Sequence, residues 1–521
     1  MTSPRSAVRL AELVASLSLA TDLGLGLPEE HVLRQTVIAG RLARLAGVDE
    51  ASTFYVSLLA WVGCIADSHE LSHWFGDDRS IRADSYQVDK AGLPMMRLML
   101  SHLGAGSGSL RRLSLIGRFL AGGHRDAVAG FVAHCQTTGD IAERLGVGAE
   151  VRRSLAQAFE RWDGKGVPGN LRGTGIEPAM RIVQIADDAE VFARAAGPAA
   201  ALQMLADRRG TEFDPELVDL VTEQVLGGLD EIDAWTTVID GCAALDRRIT
   251  EGELDDVLTI FADYADLKSP WYTGHSRAVA MLARAAAGAA RWPAEEVAVV
   301  RRAGLVHRLG ATGVSTAIWN KPAPLNAIDA EHARQVPYLT ERILCRQPRL
   351  ARIGAVAAMC HERMDGSGYP RGLLGAGIPR TARLLAAVDA YQTLAEDRPG
   401  RPALLPEERR AACLAEVRAG RLDESSVEAV LAAAGHRVRR RRTLVVGLTA
   451  READVLALLV RGLSNRQISE RLVISPRTVG THVEHIFIKA GVSTRGALVM
   501  FALRHGLVGG EGDETSVDRP M

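Results

Sequence analysis

Apolar positions recur at helical spacing through most of this chain. Near the N-terminus, "VRLAELVASLSLATDLGLG" places apolar residues three and four apart, interrupted by Glu12 and Asp22. That pattern predicts an amphipathic helix and lacks the cleavage site of a signal peptide. "PAMRIVQIADDAEVFA" (178–193) and "RTARLLAAVDAYQTLA" (380–395) have the same period, each after a stretch rich in Gly and Pro that predicts a tight loop. No apolar run approaches the roughly 18 residues needed to cross a bilayer.

The last eighty or so residues divide into four short predicted helices. Thr449 caps the first, with Glu452 three residues on, and Gly462 ends it. Ser464 caps "NRQISERLV", with Gln467 in the same relation. Ser475 caps the third, with Pro476 at its first position. Val479, Val483, Ile486 and Ala490 form its apolar stripe, leaving Arg477, Thr478, Thr481, His485 and Ile488 outside. A capped helix, a short turn and a second capped helix with a polar outer face are helix-turn-helix geometry.

A repeat organises the rest. "AFERWDGKGVPGNL" (158–171) and "CHERMDGSGYPRGL" (360–373) align without a gap at an offset of 202. Asp163/Asp365, Gly164/Gly366, Gly166/Gly368, Pro168/Pro370, Gly173/Gly375, Ile176/Ile378, Arg181/Arg383 and Asp187/Asp389 all match at that offset. Matches at one fixed spacing indicate an internal duplication. Asp187 and Asp389 then fall within helices, where a lone carboxylate needs a partner or a metal.

At about 150 residues per domain, 521 residues accommodate three or four domains. Low aromatic content with abundant Ala, Leu and Arg favours helices over sheets. The six cysteines form no CxxC pair, which fits free thiols in a reducing cytoplasm. The net charge of −1 hides a local imbalance. Residues 448–506 carry eight Arg or Lys against four Asp or Glu, a net +4. Arg437, Arg439, Arg440, Arg441 and Arg442 raise the C-terminal segment to +9, the footprint of a phosphate-binding surface.

"HERMDGSGYPRGL" followed by "IPRTARLLAAVDAY", with "GHSRAVAMLA" (His275) and "AGLVHRLGATGVSTAIWNKPAPL" (His307) before it, resembles the signature of HD-GYP phosphohydrolases. The resemblance covers roughly residues 260–400, and more weakly 10–210. It implies an all-α fold and, in intact members, hydrolysis of cyclic di-GMP at a centre of two or three irons. It places metal ligands at His275, His307, His361 and Asp389, and a pocket at Arg308, Gly368, Tyr369 and Pro370. Arg308 stands where the family has the Asp of its His-Asp dyad, Val336 replaces a further His, and Cys360 replaces the first of a His-His pair. A guanidinium in place of a bridging carboxylate reverses the charge between two cations. The expectation is therefore a remnant without a binuclear centre. Arg308 is expected either to pair with Asp389 or to serve as a phosphate fork for a nucleotide. In the first copy Ala60-Trp61 aligns with the dyad and Ala158-Phe159 with the His-His pair. His31, His134 and Asp187 survive there, and an insertion of about forty residues, including "HWFGDDRSIRADSYQVDKAG", separates Trp61 from His134.

"LTAREADVLALLVRGLSNRQISERLVISPRTVGTHVEHIFIKAGVSTRGALVMFALRHGLV" closely resembles the LuxR-type (FixJ/NarL-type) DNA-binding domain. The resemblance implies contacts to double-stranded DNA from Ser464, Asn465, Arg466, Ser475, Arg477, Thr478, Thr481, His482 and Lys489, with Lys489 on backbone phosphate. It also implies a homodimer paired through the last helix, "TRGALVMFALRHGL". The expected architecture is all-α: a degenerate HD-GYP-like repeat with its insertion (1–215), a second HD-GYP-like domain (216–435), a basic linker (436–447), a four-helix LuxR-type domain (448–510) and a flexible tail (511–521). The expected function is a cytoplasmic DNA-binding transcriptional regulator with no membrane segment. Its N-terminal module would sense a ligand, a nucleotide or other anion among the candidates, or mediate dimerisation, without hydrolysis or cofactor. The alternative is a cyclic di-GMP phosphodiesterase fused to a DNA-binding domain, which would require divalent iron or manganese.

Overall fold

Helices joined by short turns and 3-10 segments make up the computed structural model of this chain, and no strand occurs among the described residues. The structure describes residues 8–105, 108–167, 171–242, 245–322, 324–435, 448–505 and 507. The basic linker 436–447, the tail 511–521 and Pro168 lie outside these residues. The principal helices of the first repeat are α1 (Leu10–Leu25), α2 (His31–Ala46), α3 (Asp78–Ser85), α4 (Gly92–His102), α5 (Ser109–Arg118), α6 (His124–Arg144) and α7 (Pro178–Ala196). Those of the second are α8 (Glu251–Asp266), α9 (His275–Ala289), α10 (Ala294–Val306), α11 (Val336–Leu344) and α12 (Arg380–Leu394). The C-terminal domain contributes α13 (Ala450–Leu459), α14 (Asn465–Leu472), α15 (Pro476–Ala490) and α16 (Arg495–Arg504).

The two repeats use the same local devices. Asp22 accepts a hydrogen bond from the Val32 amide at the start of α2 (3.0 Å), and Asp266 accepts one from the Ser276 amide at the start of α9 (2.8 Å). Trp61 and Arg308 each precede a 3-10 turn, with φ, ψ of −104°, 2° and −102°, 5°. The loop glycines are retained for packing. A Cβ on Gly368 would lie 2.3 Å from the Arg363 amide nitrogen, and one on Gly166 would lie 2.5 Å from that of Arg161. Each loop closes over a buried glutamate. Glu362 accepts from the Arg371 and Leu373 amides (both 2.8 Å), and Glu160 accepts from the Leu171 amide (3.0 Å).

α1 departs from the amphipathic expectation, since 14 of its 16 residues are buried. It packs between the repeats, with Leu23 close to Gly313 of the second, so burial on most faces replaces a solvent-facing stripe. The insertion builds its own small core from Trp74, Phe75, Ile81, Leu103, Leu115 and Phe119. The main apolar core continues from Val8 to Leu503, so the C-terminal domain packs onto the repeats. Its helix caps form as the sequence predicts. Thr449 and Ser464 make capping boxes with Glu452 and Gln467, and Ser475 accepts from the Thr478 amide (3.0 Å).

Candidate functional site

In the second repeat, α9, the end of α10, the Gly-Tyr-Pro loop and α12 converge on Asp389. His275 opens α9 and places its Nε2 3.2 Å from Asp389 Oδ1, while its Nδ1 lies 2.8 Å from Glu396. Burial alone would lower His275, but Glu396 and Asp389 override it and lift the ring to about 9. His307, at the end of α10, donates from Nδ1 to the Gly304 carbonyl (2.8 Å). Its Nε2 makes no hydrogen bond among the described residues and faces Asp389 Oδ1 at 3.4 Å. With Nδ1 as the donor, a neutral His307 aims a lone pair at a carboxylate, an arrangement that calls for a cation between them. His361 Nδ1 lies 3.9 Å from Asp389 Oδ2, and the ring stacks on Tyr369 with centroids 5.0 Å apart. Burial pushes His361 down to about 4 and the Cys360 thiol well above its usual value.

These donors fit one divalent ion. Ligand atoms of His275, His307 and Asp389 lie within 4.8 Å of one another, and so do those of Cys360, His361 and Asp389. Glu396 on the far nitrogen of His275 is the carboxylate that commonly orients a metal-bound imidazole. Val336 is a buried apolar residue and adds no donor.

Arg308 does not pair with Asp389. Its guanidinium carbon lies 3.4 Å from the centroid of the Tyr272 ring and 5.1 Å from that of Trp319. Its nearest carboxylate is Asp266, at 4.0 Å, and its Nε and Nη2 lack hydrogen-bond partners. Stacking on aromatic faces holds this buried cation in place of the expected salt bridge. The side chain remains beside the histidines as a fixed positive charge.

The first repeat resolves the same positions differently. His31 lies between Asp187 (3.0 Å) and Glu190 (2.6 Å). Burial would lower this ring, but the two carboxylates bring it to about 10. The insertion fills the remaining space: Tyr86 donates to Asp187 (3.2 Å) and Lys90 to the adjacent Asp188 (2.6 Å). His134 donates to the Ala60 carbonyl (2.8 Å) and packs on Phe159. His31 and Asp187 are thus saturated by internal ion pairs, and no cluster of potential metal ligands forms in this repeat among the described residues.

In the C-terminal domain, Ser464, Asn465, Arg466, Ser475, Arg477, Thr478 and Thr481 are exposed, and His482 is half-buried. Val479 and Ile486 of the predicted stripe are buried, and Val483 and Ala490 pack beside them. Lys489 is engaged: its Nζ donates to both oxygens of Glu452 (2.9 and 2.7 Å). The phosphate contact expected of Lys489 therefore competes with an internal partner that also closes the capping box of α13. The last helix is a second departure. Ala497 to Leu503 are all buried, and α16 packs on α6 of the first repeat instead of exposing an apolar face for a twin.

Residues 127–217 and 259–425 match the HD domain family, and residues 446–502 match the bacterial regulatory proteins of the luxR family. The chain joins HD-domain repeats to a luxR-family DNA-binding domain. The 3'3'-cGAMP-specific phosphodiesterase 3 of Vibrio cholerae is 28% identical over 405 residues, covering 76% of this chain and 88% of that protein. The cyclic di-GMP phosphodiesterase response regulator RpfG of Xanthomonas campestris pv. campestris is 35% identical over 107 residues, 20% of this chain and 28% of the relative. A crystal structure of a V. cholerae cyclic GMP-AMP-specific phosphodiesterase superposes with a TM-score of 0.57 at 24% identity, covering 82% of this chain and 98% of that one, a likeness of fold.

Several site residues escaped sequence reading. Tyr272, Glu396 and Arg398 flank the motifs without belonging to them, and Glu190, Tyr86 and Lys90 act only in the first repeat. One signal was present at the fixed offset. Glu190 and Arg194 correspond to Gln392 and Glu396, so the acidic partner of the buried histidine shifts by one helical turn between copies.

Proposed function

We propose that this chain is a DNA-binding transcriptional regulator whose second HD repeat binds one divalent cation and a cyclic dinucleotide as a signal, without cleaving it. The luxR-family match and the exposed outer face of α15 support the DNA-binding half. One observation carries the sensing half. Arg308 puts a buried guanidinium where a carboxylate would bridge two metals, beside a donor set sufficient for a single ion. At an effective dielectric near 20, two like unit charges about 4 Å apart repel by about 4 kcal/mol, so a second cation next to Arg308 is disfavoured. The retained ion would supply Lewis acidity toward a phosphoryl oxygen. His275, His307 and Asp389 would hold it, with Glu396 orienting His275 and Arg308 available to a phosphate.

The phosphodiesterase reading keeps support from the relative that this chain matches over most of its length. Incubating the full-length protein with manganese(II) and either 3'3'-cGAMP or cyclic di-GMP, then separating products by chromatography, decides between them. The expected result is saturable binding, one ion per chain and no linear dinucleotide. Turnover that disappears in His307→Ala would establish the hydrolase instead.

A further inference from the structure

The segments that shape the second-repeat site also grip the DNA-binding domain. The Thr273 hydroxyl, two residues before His275, donates to the carbonyl of Val460 at the end of α13 (2.8 Å). Trp271 packs under Gly462, where an added Cβ would meet its ring at 3.1 Å. Arg471 of α14 donates to Asp397 (2.7 Å). Asp397 lies between two residues of the site. Glu396 binds His275, and Arg398 donates to Glu396 (2.7 Å), stacks on Tyr272 at 3.9 Å and donates to the Trp271 carbonyl. A path two to three residues wide therefore runs from the histidines to the seam.

A second grip lies on the first repeat. Arg504 of α16 donates to Asp140 (3.1 Å) and Glu143 (3.5 Å), and α16 buries its apolar residues there. Gly496 passes so close to the Ala66 carbonyl that an added Cβ would stand 2.0 Å from its oxygen. The helix that would meet a second copy is thus occupied by the chain itself, while the outer face of α15 stays exposed.

We propose that the repeats hold the DNA-binding domain in a closed position that masks α16, and that a cation among His275, His307 and Asp389 tightens this hold through Glu396, Asp397 and Arg398. The inference rests on the reading of that cluster as a cation site. A cation at the Nε2 of His275 strengthens the bond from its Nδ1–H to Glu396, which fixes Arg398 and, through the neighbouring Asp397, Arg471. Coupling is reciprocal, so opening the seam must weaken cation binding, by at most the factor by which the cation strengthens the seam.

The test uses the full-length protein, manganese(II) as the probe, and two readouts: amide exchange of residues 495–503 and manganese affinity by titration. In the parent protein, manganese should slow exchange in 495–503 by about fivefold. Gly496→Ala wedges the seam open, and the first turn of α16 accepts the added methyl because Gly496 does not sit at positive φ. It should speed that exchange, promote self-association and weaken manganese binding by up to about fivefold. Arg471→Ala loosens the other grip without adding a clash and should move both readouts in the same direction, which keeps the test valid if Gly496→Ala fails to fold. Manganese that binds the parent but leaves exchange of 495–503 unchanged overturns the coupling and leaves the cation site standing. Variants that free α16 yet keep parental manganese affinity overturn it equally. A parent that binds no manganese removes the cation site and this inference together.

Discussion

Asp78→Ala should destabilise the protein by about 3–5 kcal/mol, the usual cost of removing one partner from a buried ion pair. Asp78 comes from the insertion and is fully buried, as is Lys268 of the second repeat, whose Nζ lies 2.6 Å from Asp78 Oδ2. Arg82 donates to the same oxygen (3.2 Å), and the Thr316 amide donates to Oδ1 (2.8 Å). Without the carboxylate, the Lys268 ammonium is left buried without its partner where the two repeats meet, while Arg82 keeps Asp67. The double variant Asp78→Ala/Lys268→Met should recover most of the loss, since it withdraws the stranded charge along with its partner. Chemical denaturation of both variants measures the difference. Equal destabilisation would show that the shape of Asp78 matters and its charge does not. Burial would raise Asp78, but Lys268 and Arg82 override it and bring its pKa to about 2. A carboxyl depressed below its ordinary 3.8 contributes stability above that pH and loses it as pH falls toward 2. The parent should therefore lose more stability on the acid side than the double variant, which keeps only the share of other depressed carboxyls such as Glu396.

Local features of this fold were legible because local physics decides them. The caps at Thr449, Ser464 and Ser475 and the glycines of both repeat loops depend on groups a few residues away, and the structure forms them where the sequence places them. Departures arise where a distant partner decides. The apolar residues of α16 suit a twin or any other apolar surface, and sequence cannot say that α6 takes the place. Arg308 was visible as a misplaced cation, but its stacking on Tyr272 and Trp319 needs two residues from separate turns. His31 and His275 look alike as surviving ligands. One is saturated by Asp187 and Glu190 while the other shares Asp389 with a ring nitrogen that lacks a hydrogen bond. The insertion that seemed only to interrupt the first repeat supplies Tyr86 and Lys90, which bond Asp187 and Asp188, and Asp78, which pins it to the second repeat.

Arg477→Ala should weaken binding of a cognate DNA site by about 1–3 kcal/mol and relax sequence preference at one base pair. Arg477 is exposed in the first turn of α15, the part of a recognition helix that approaches base edges. Ser475 and Thr478 cap that turn, so removing the guanidinium leaves the helix intact and the loss reports on contact with DNA. Lys489→Ala provides the contrast. Its ammonium is bound to Glu452, and Glu452 also accepts from the Thr449 amide (2.7 Å) at the start of α13. Loss of Lys489 should therefore appear first as reduced stability of the domain, with a smaller and sequence-independent effect on DNA. A salt titration separates the two. A residue that only neutralises phosphate lowers the slope of log K against log salt by about one, equally on specific and random DNA. A base-reading Arg477 shifts specific binding more than random binding. If Arg477→Ala weakens both to the same extent while Lys489→Ala alters base preference, α15 enters the groove by a different face from the one its exposed residues define.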